Sequence, residues 1–453
     1  MVLVPTHIEI NKIDESHIAT VKILTEETDI IPYKDWKRIQ KTSQIYKLPI
    51  EYCKFRVDNG RIATEITTYE TSKGILDPNA ETTQQTISNF LSKSDTANNE
   101  ILIKSLRRDG QKDPAVITAD GFLINGNRRK WALEELNKAH PNEKYKYLKV
   151  IILPGSNSPE RPTTSDLVLM ENDFQLYSDG RSEYSSMNKT LTLYKNVQKG
   201  IGLEEMLRQD PGYSNLDDKD FKKNIQKFKT KYFRPLELMS EYLQANKRKN
   251  DFVSVEDKWT AFQDMSERVM DQIEDEKGLA KHQVDEKEVG IIKAAGFNII
   301  KLRDHGEVDP RTHKLMARML KWVEVDKKEV LKIGKIDDPY EHISDPDERF
   351  NKWNNEFNEK IVNSIKKLDN LVERKKDQEG PIKKLEDILQ KLNADEFNLN
   401  QLKFMKKPDI PEALKIANSI QTSIKELVNF FYYLDKDEKF QIETLIEAFN
   451  KKK

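Results

Sequence analysis

After Ser165 apolar residues return every three or four positions with scarcely a period-two run, so the rest of the chain reads as helix and any sheet is confined to what precedes it. Ahead of that point the signals are short and of mixed type. Ile101, Leu102 and Leu106 share a helical face that ends at Asp109-Gly110. Pro114 then opens a strand in AVIT, Asp120-Gly121 turns it, and FLIN makes a second strand. Gly126 breaks that strand before the helical spacing of Trp131, Leu133 and Leu136. A further strand over 148–153 closes the unit, ahead of the Pro- and Ser-rich loop PGSNSPERPTTSD. The expected fold class is α+β: a small mixed α/β domain followed by a largely α-helical C-terminal half.

The flanking segments are read from the same signals. Residues 1–48 mix β-branched runs with a short amphipathic piece around Trp36 and Ile39, and form an N-terminal arm or subdomain. The alternation in IEYCKFRVDNGRIATEI, residues 50–66, predicts a hairpin about Asp58-Asn59-Gly60, because Asn and Gly tolerate the positive φ of a tight turn. Asp166 is placed to cap the helix of LVLMENDF, and Tyr184, Met187, Leu191 and Tyr194 share a helical register. Short helices follow over 203–243, then a helical block over 255–322 with interruptions at Gly290 and Gly296. In the tail, Ile361, Ile365, Leu368 and Val372 recur at four- and three-residue steps, as do Leu385, Leu389 and Leu392 beyond Gly380-Pro381. That pattern predicts an antiparallel helical hairpin at 346–453, its stripes buried in an ordinary bundle or else against a second copy or a partner protein. The expected divisions are thus 1–48, a domain at 49–200, a basic helical segment at 201–250, a helical domain at 251–345, and the charged tail.

Composition narrows the functional classes. The single cysteine, Cys53, forms no internal disulfide, and no Cys/His spacing suits zinc, which points to a reducing, cytoplasmic setting. Cys53 itself reads as a small buried hydrophobe. No apolar run is long enough to cross a bilayer, so no membrane partner is expected. Charged residues are 34% of the 453 but cancel to a net of -1, so contact with DNA must come from a local patch. A mean hydropathy of -0.76 would suit disorder, but the helical periodicity argues against it.

Two constellations carry candidate chemistry. At Gly126, Asn127, Arg128 and Arg129 a glycine sits at a strand-to-helix junction with two guanidinium forks on the first helical turn. Helix N-termini are partly positive and guanidinium forks match phosphate oxygens, so this turn suits a di- or triphosphate; the alternative is a plain surface turn with two solvated arginines. The second constellation is basic: Lys219, Lys222, Lys223, Lys227, Lys229, Lys231, Arg234, Lys247, Arg248 and Lys249 face only Asp220, Glu237 and Glu241 over 219–250. Phosphate contacts from such a segment would give salt-dependent DNA affinity, and Tyr232 and Phe233 interleave with it; a solvated helix face is the alternative. No Gly-x-x-x-x-Gly-Lys-Ser/Thr loop, His-Glu-x-x-His motif or nucleophilic triad is present.

In this setting residues 49–200 resemble the ParB/sulfiredoxin-like family. The Gly-Gln-Lys-Asp-Pro run at 110–114, with Gln111, is similar to that family's segment ahead of its first core strand. Gly126, Asn127, Arg128, Arg129 and Ala132 look like its phosphate motif, and Glu171-Asn172 resembles its glutamate-asparagine motif. The resemblance implies a nucleotide site that also includes Gln175, binding CTP or ATP with Mg²⁺, with Glu171 as catalytic group and Glu171 and Asn172 as metal ligands. It also implies a helix-turn-helix after the nucleotide domain, where Lys222, Lys223, Lys227, Lys229, Lys231 and Arg234 would touch DNA. The chain departs from the pattern in three places: the run after Asn172 is Asp173, Phe174, Gln175 without the usual arginine, for which Arg181 is the nearest substitute; Asn127 stands where an acid is common; and the catalytic cysteine of sulfiredoxins is absent. Three functions follow as expectations: a DNA-associated protein switched by nucleotide, a ParB-like nuclease or NTPase of a phage-defence or mobile-element system, or a non-catalytic adaptor.

Overall fold

The computed structural model describes residues 9–30, 42–176, 185–208, 210, 212–302, 309, 311–393, 406–436 and 444. Trp36, Ile39, Arg181 and Tyr184 lie outside them, as do the side chains of Gln175, Leu389 and Leu392. The fold is α+β, with one mixed sheet near the N-terminus and helices throughout the rest.

The sheet has strands β1 (Ile23–Ile30), β2 (Thr42–Pro49), β3 (Ala115–Ile117) and β4 (Tyr147–Ile152) in the order β1-β2-β4-β3. β1 and β2, both from the expected arm, pair antiparallel, β2 pairs antiparallel with β4, and β3 pairs parallel with β4. Side chains of β3 and β4 alternate between two cores: Ala115, Ile117, Leu148 and Val150 enter one, Val116 and Ile151 the other. A strand pair covered on both faces is the condition under which short parallel strands are stable. The expected FLIN strand returns along β3, joined by the Ile124 amide to the Val116 carbonyl at 2.8 Å and a bridge at Leu123.

The first core is covered by α1 (Glu15–Val21), α2 (Ala63–Lys73), α3 (Glu81–Lys93), α4 (Thr96–Asp109) and α5 (Asn127–Ala139). The hairpin expected at 50–66 is absent. Residues 50–52 and 60–62 are 3-10 turns and α2 begins at Ala63. Asn59 keeps a negative φ and its side chain accepts the Arg61 amide, so the local side-chain bond competes successfully with strand pairing.

The second core takes α6 (Thr164–Leu176), α7 (Ser186–Gln198), α8 (Leu203–Arg208) and α9 (Asp218–Phe228). α6 is capped by Thr163, whose hydroxyl accepts the Asp166 amide at 3.2 Å while Asp166 accepts the Thr163 amide at 2.7 Å. Asp166 is therefore the third-position partner of a capping box, not the cap expected from sequence. α9 continues through a wide π turn, Lys229–Phe233, into α10 (Arg234–Ala245).

The largest core gathers α10, α11 (Trp259–Met265), α12 (Asp271–Ile273), α13 (Glu276–His282), α14 (Glu286–Ile300), α15 (Thr312–Met316), α16 (Met319–Gly334) and α17 (Pro346–Asn393). Gly290 and Gly296, read as interruptions, both lie inside α14. Gly296 serves packing instead: a Cβ there would stand 2.8 Å from Met265 Cε. Ile361, Ile365 and Leu368 are buried in this core, which is the bundle reading of the stripe. α17 runs unbroken through Gly380-Pro381, against the break expected there. One proline removes a single backbone bond and costs about 3 kcal/mol, which a helix this long has many other turns to offset.

The chain divides into units 1–372 and 373–453. In the second, α18 (Ile410–Asp435) exposes Leu414, Ile416, Ile420, Ile424 and Val428. No helix among the described residues is long and apolar enough to cross a membrane.

Two glycine substitutions separate packing from propensity. A Cβ on Gly334 would lie 2.0 Å from the Ile291 carbonyl oxygen, so Gly334→Ala forces α16 off α14 and is expected to destabilise by about 2 kcal/mol. Gly290 has open space about it, and Gly290→Ala should stabilise by about 0.5–1 kcal/mol. Urea denaturation of both variants checks the opposite signs.

Candidate functional site

Gly126 closes the return of FLIN with φ of 85°, and a Cβ there would stand 2.6 Å from Ala115 Cβ. The left-handed conformation and the close approach both require glycine. α5 therefore starts against β3, and no side chain caps its first turn. The two arginines that follow diverge. Arg128 donates from Nε to Asn99 Oδ1 at 2.8 Å and lies 3.7 Å from Asp95. Arg129 donates to the Asp113 carbonyl.

The stretch expected as a hairpin links Arg128 to Glu171 instead. Residue Lys54 pairs with Phe122, so the 54–61 segment runs beside the strand that leads to Gly126. Along it Arg56 lies 3.3 Å from Glu171, the Gly60 amide donates to Glu171 at 3.2 Å, and Arg61 lies 3.9 Å from the same Asp95 oxygen that Arg128 faces. The result is a continuous series, Arg56, Glu171, Gly60, Arg61, Asp95, Arg128. Three guanidinium groups, each only 13% exposed, meet two carboxylates. Arg56, Asn59, Arg61, Asp95 and Asn99 had no readable signal: the first three fall in the supposed hairpin, the others in a polar run between motifs.

The cluster contains groups whose hydrogen bonding is incomplete. Asn59 is buried, and its Nδ2 has no hydrogen-bond partner among the described residues, nor has the buried Oδ1 of Asn127 at the start of α5. Buried polar atoms in such a state are uncommon and mark places where a ligand or ordered water belongs.

Arg56 also lines a cavity of about 350 Å³ at the carboxyl ends of β3 and β4, with Thr118, Phe122, Gly155, Arg161 and Thr164 on its walls. Crevices at that end of parallel strands are where open α/β sheets bind ligands. Asp58 on its wall is held below the ordinary carboxylate range by Lys199, 2.9 Å away, in spite of the opposing effect of burial.

Other predicted residues take different places. Gln111 braces β4, donating to the Lys149 carbonyl at 2.8 Å and accepting its amide at 2.8 Å. Asn172 donates to the Met206 carbonyl at 2.9 Å and so ties α6 to α8, while its neighbour Glu171 turns to Gly60 and Arg56. Adjacent helical residues point about 100° apart, and these two turn to different neighbours. Among the described residues no group of three or more His, Cys, Asp or Glu is placed to hold a metal. Cys53 is fully buried and burial pushes its thiol up to about 12.

The basic segment resolves into two parts. Phe221, Ile225 and Phe228 bury one face of α9, leaving Lys222, Lys223 and Lys227 exposed on the other, followed by exposed Lys229 and Lys231 on the π turn. Arg234 is paired with Glu274. Tyr232 and Phe233 pack against Phe228 at 4.7 and 5.6 Å, and Tyr232 also carries the Lys231 ammonium over its ring at 5.3 Å, as the interleaving of aromatics with cations predicts. The 209–217 connection between α8 and α9 is longer than the roughly 3–4-residue turn of a helix-turn-helix.

Comparison with protein-family models, with curated proteins and with solved structures finds no match to this chain.

Removing the Glu171 carboxylate leaves Arg56 half-buried without its counter-ion. Glu171→Ala is expected to cost about 2 kcal/mol of stability in urea denaturation, with Arg56→Ala/Glu171→Ala less destabilised than the sum of the single variants.

Proposed function

We propose that the protein binds a nucleoside triphosphate at the arginine cluster of Arg56, Arg61 and Arg128 beside the Gly126 turn, and that nucleotide occupancy modulates its association with DNA through α9. The observation that carries this reading is the gathering of three largely desolvated guanidinium groups about an uncapped helix start. Guanidinium forks withdrawn from water bind polyphosphate more strongly than solvated ones, since hydrogen bonds to charged groups gain strength as the local dielectric falls. A triphosphate would compete with Asp95 and Glu171 for these forks and supply acceptors for Asn59. Arg56 belongs to both cluster and cavity, so a nucleotide entering the cavity meets the cluster through it. Because ligand and carboxylates seek the same donors, binding is coupled to the packing of α6 and α4 that carry those acids, which is the differential interaction a switch requires. The reading includes no hydrolysis: Glu171 accepts from Gly60 and faces Arg56.

Thermal denaturation with ATP, CTP, GTP and UTP, each with Mg²⁺, tests the nucleotide. One of them should raise the midpoint as RT ln(1 + [L]/Kd), about 2.7 kcal/mol at a hundredfold excess over Kd. Arg128→Ala/Arg129→Ala and Arg56→Ala should each abolish that rise; identical midpoints with every nucleotide overturn the proposal.

For DNA, the exposed lysines of α9 and its π turn support a phosphate contact. Neutralising Lys222, Lys223 and Lys227 should reduce the slope of log K against log salt by about 2 to 3. An unchanged slope removes α9 from the interface.

A further inference from the structure

A second cavity, of about 210 Å³, lies in the helical core of the first unit, far along the chain from the cluster above. Its walls include Tyr242 and Asn246 at the end of α10, Arg248 and Ser254 on the following loop, Lys301 after α14, and Arg349 on the first turn of α17. Arg248, Lys301 and Arg349 line it against one carboxylate, Asp347.

These three cations pair with three carboxylates, Asp251, Asp338 and Asp347, of which Asp347 alone lines the cavity. Lys301 and Arg349 share a single oxygen of Asp338, at 3.1 and 2.9 Å. Arg349 is 3% exposed, and its Nη1 is buried without a hydrogen-bond partner among the described residues. Arg248 is held by Asp251 at 3.0 Å and by Asp347, whose side chain is 83% exposed. Leaving a buried guanidinium nitrogen unmatched costs about 1–3 kcal/mol, a cost that a bound acceptor in the cavity would remove. Burial holds the Lys301 ammonium below its ordinary range; Asp338 opposes this, while Arg349 and Arg248 add to it.

The loop that presents Arg248 is built for position. α10 ends with the Arg248 amide on the Leu243 carbonyl at 2.8 Å and the Lys247 amide on the Gln244 carbonyl at 3.1 Å. That closure puts Lys247 at φ 57°, the left-handed position glycine usually fills. Asn250 repeats the conformation at φ 59°. The α17 start is not the attraction, because Asp345 already accepts its Asp347 and Glu348 amides at 2.8 and 2.9 Å.

We propose that this cavity binds a small phosphate dianion, free or as a compact monoester, held by Arg349, Lys301 and Arg248. Three cations from three separate elements match a group with two charges and tetrahedral oxygens better than a planar carboxylate, which one fork would satisfy. The volume admits a phosphate with a few further atoms, and Val255 and Phe350 on the wall suit an apolar ester group. Asp347 is the internal competitor: the bound dianion takes Arg248 from it.

Calorimetric titration of the full chain with inorganic phosphate, and in a second arm with glycerol phosphate, at ionic strength fixed by chloride, tests the site. Wild type should give a saturable isotherm, and the tighter of the two arms identifies the source. Arg349→Gln should abolish binding, and Asp347→Asn, a change at an exposed rim position, should tighten it severalfold. Arg128→Ala/Arg129→Ala should leave it intact, which separates this site from the nucleotide cluster. Absence of saturable heat in wild type, affinity that Asp347→Asn fails to raise, or loss of binding in the Arg128/Arg129 variant each overturns the proposal. Should Arg349→Gln fail to fold, the Asp347→Asn affinity decides alone.

Discussion

The sheet is held by burial of β3 and β4 on both faces, and the parts around it are positioned by that double contact. Because Ala115 and Ile117 face one core and Val116 the other, β3 cannot slide by one residue without sending every side chain to the wrong layer. Fixing β3 fixes the return through Leu123 and Ile124, and the return sets Gly126 against Ala115 at the only distance a glycine allows. α5 then has one place to begin. The 54–61 segment, paired at Lys54 with Phe122, is carried to the same end, and α6 meets it through Glu171.

The positive charge of this near-neutral chain is used in two physical states. In the arginine cluster and the smaller cavity, cations are largely withdrawn from water and are held in fixed directions by carboxylates such as Glu171, Asp95 and Asp338. On α9 the lysines stand in solvent, where an ammonium binds through counterion release and carries little orientation. Arg234 shows the contrast within one segment, since it is paired with Glu274 while the lysines before it are exposed.

Much of the architecture was legible because it depends on periodicity. The confinement of the sheet, the AVIT and 148–153 strands and the helix at Arg128 follow from two- and four-residue spacing, which burial enforces directly. Where local chemistry competes with spacing, the reading failed: Asn59 bonds its own backbone and turns a supposed strand into 3-10 turns, and Thr163 takes the cap that Asp166 was expected to supply. Gly296 misled in α14 because a small residue required by close packing looks the same in sequence as one that breaks a helix. The arginine turn was visible, but Arg56, Arg61 and Asp95 were not, because only folding brings residues from three separate segments together.

The π turn between α9 and α10 bears on how the basic face is related to the core beneath it. Burial proceeds through Phe221, Ile225 and Phe228 and then skips to Phe233 and Leu236, a five-residue step where an ordinary helix would take four. The added residue rephases the rod, so the lysines upstream and the apolar row downstream can each be optimised without dragging the other around the axis. Such widened turns arise from single-residue insertions that a packed helix accommodates locally. The lysine-bearing half and the core-anchoring half of this rod are therefore free to vary separately, one answering to solvent and the other to the demands of the interior.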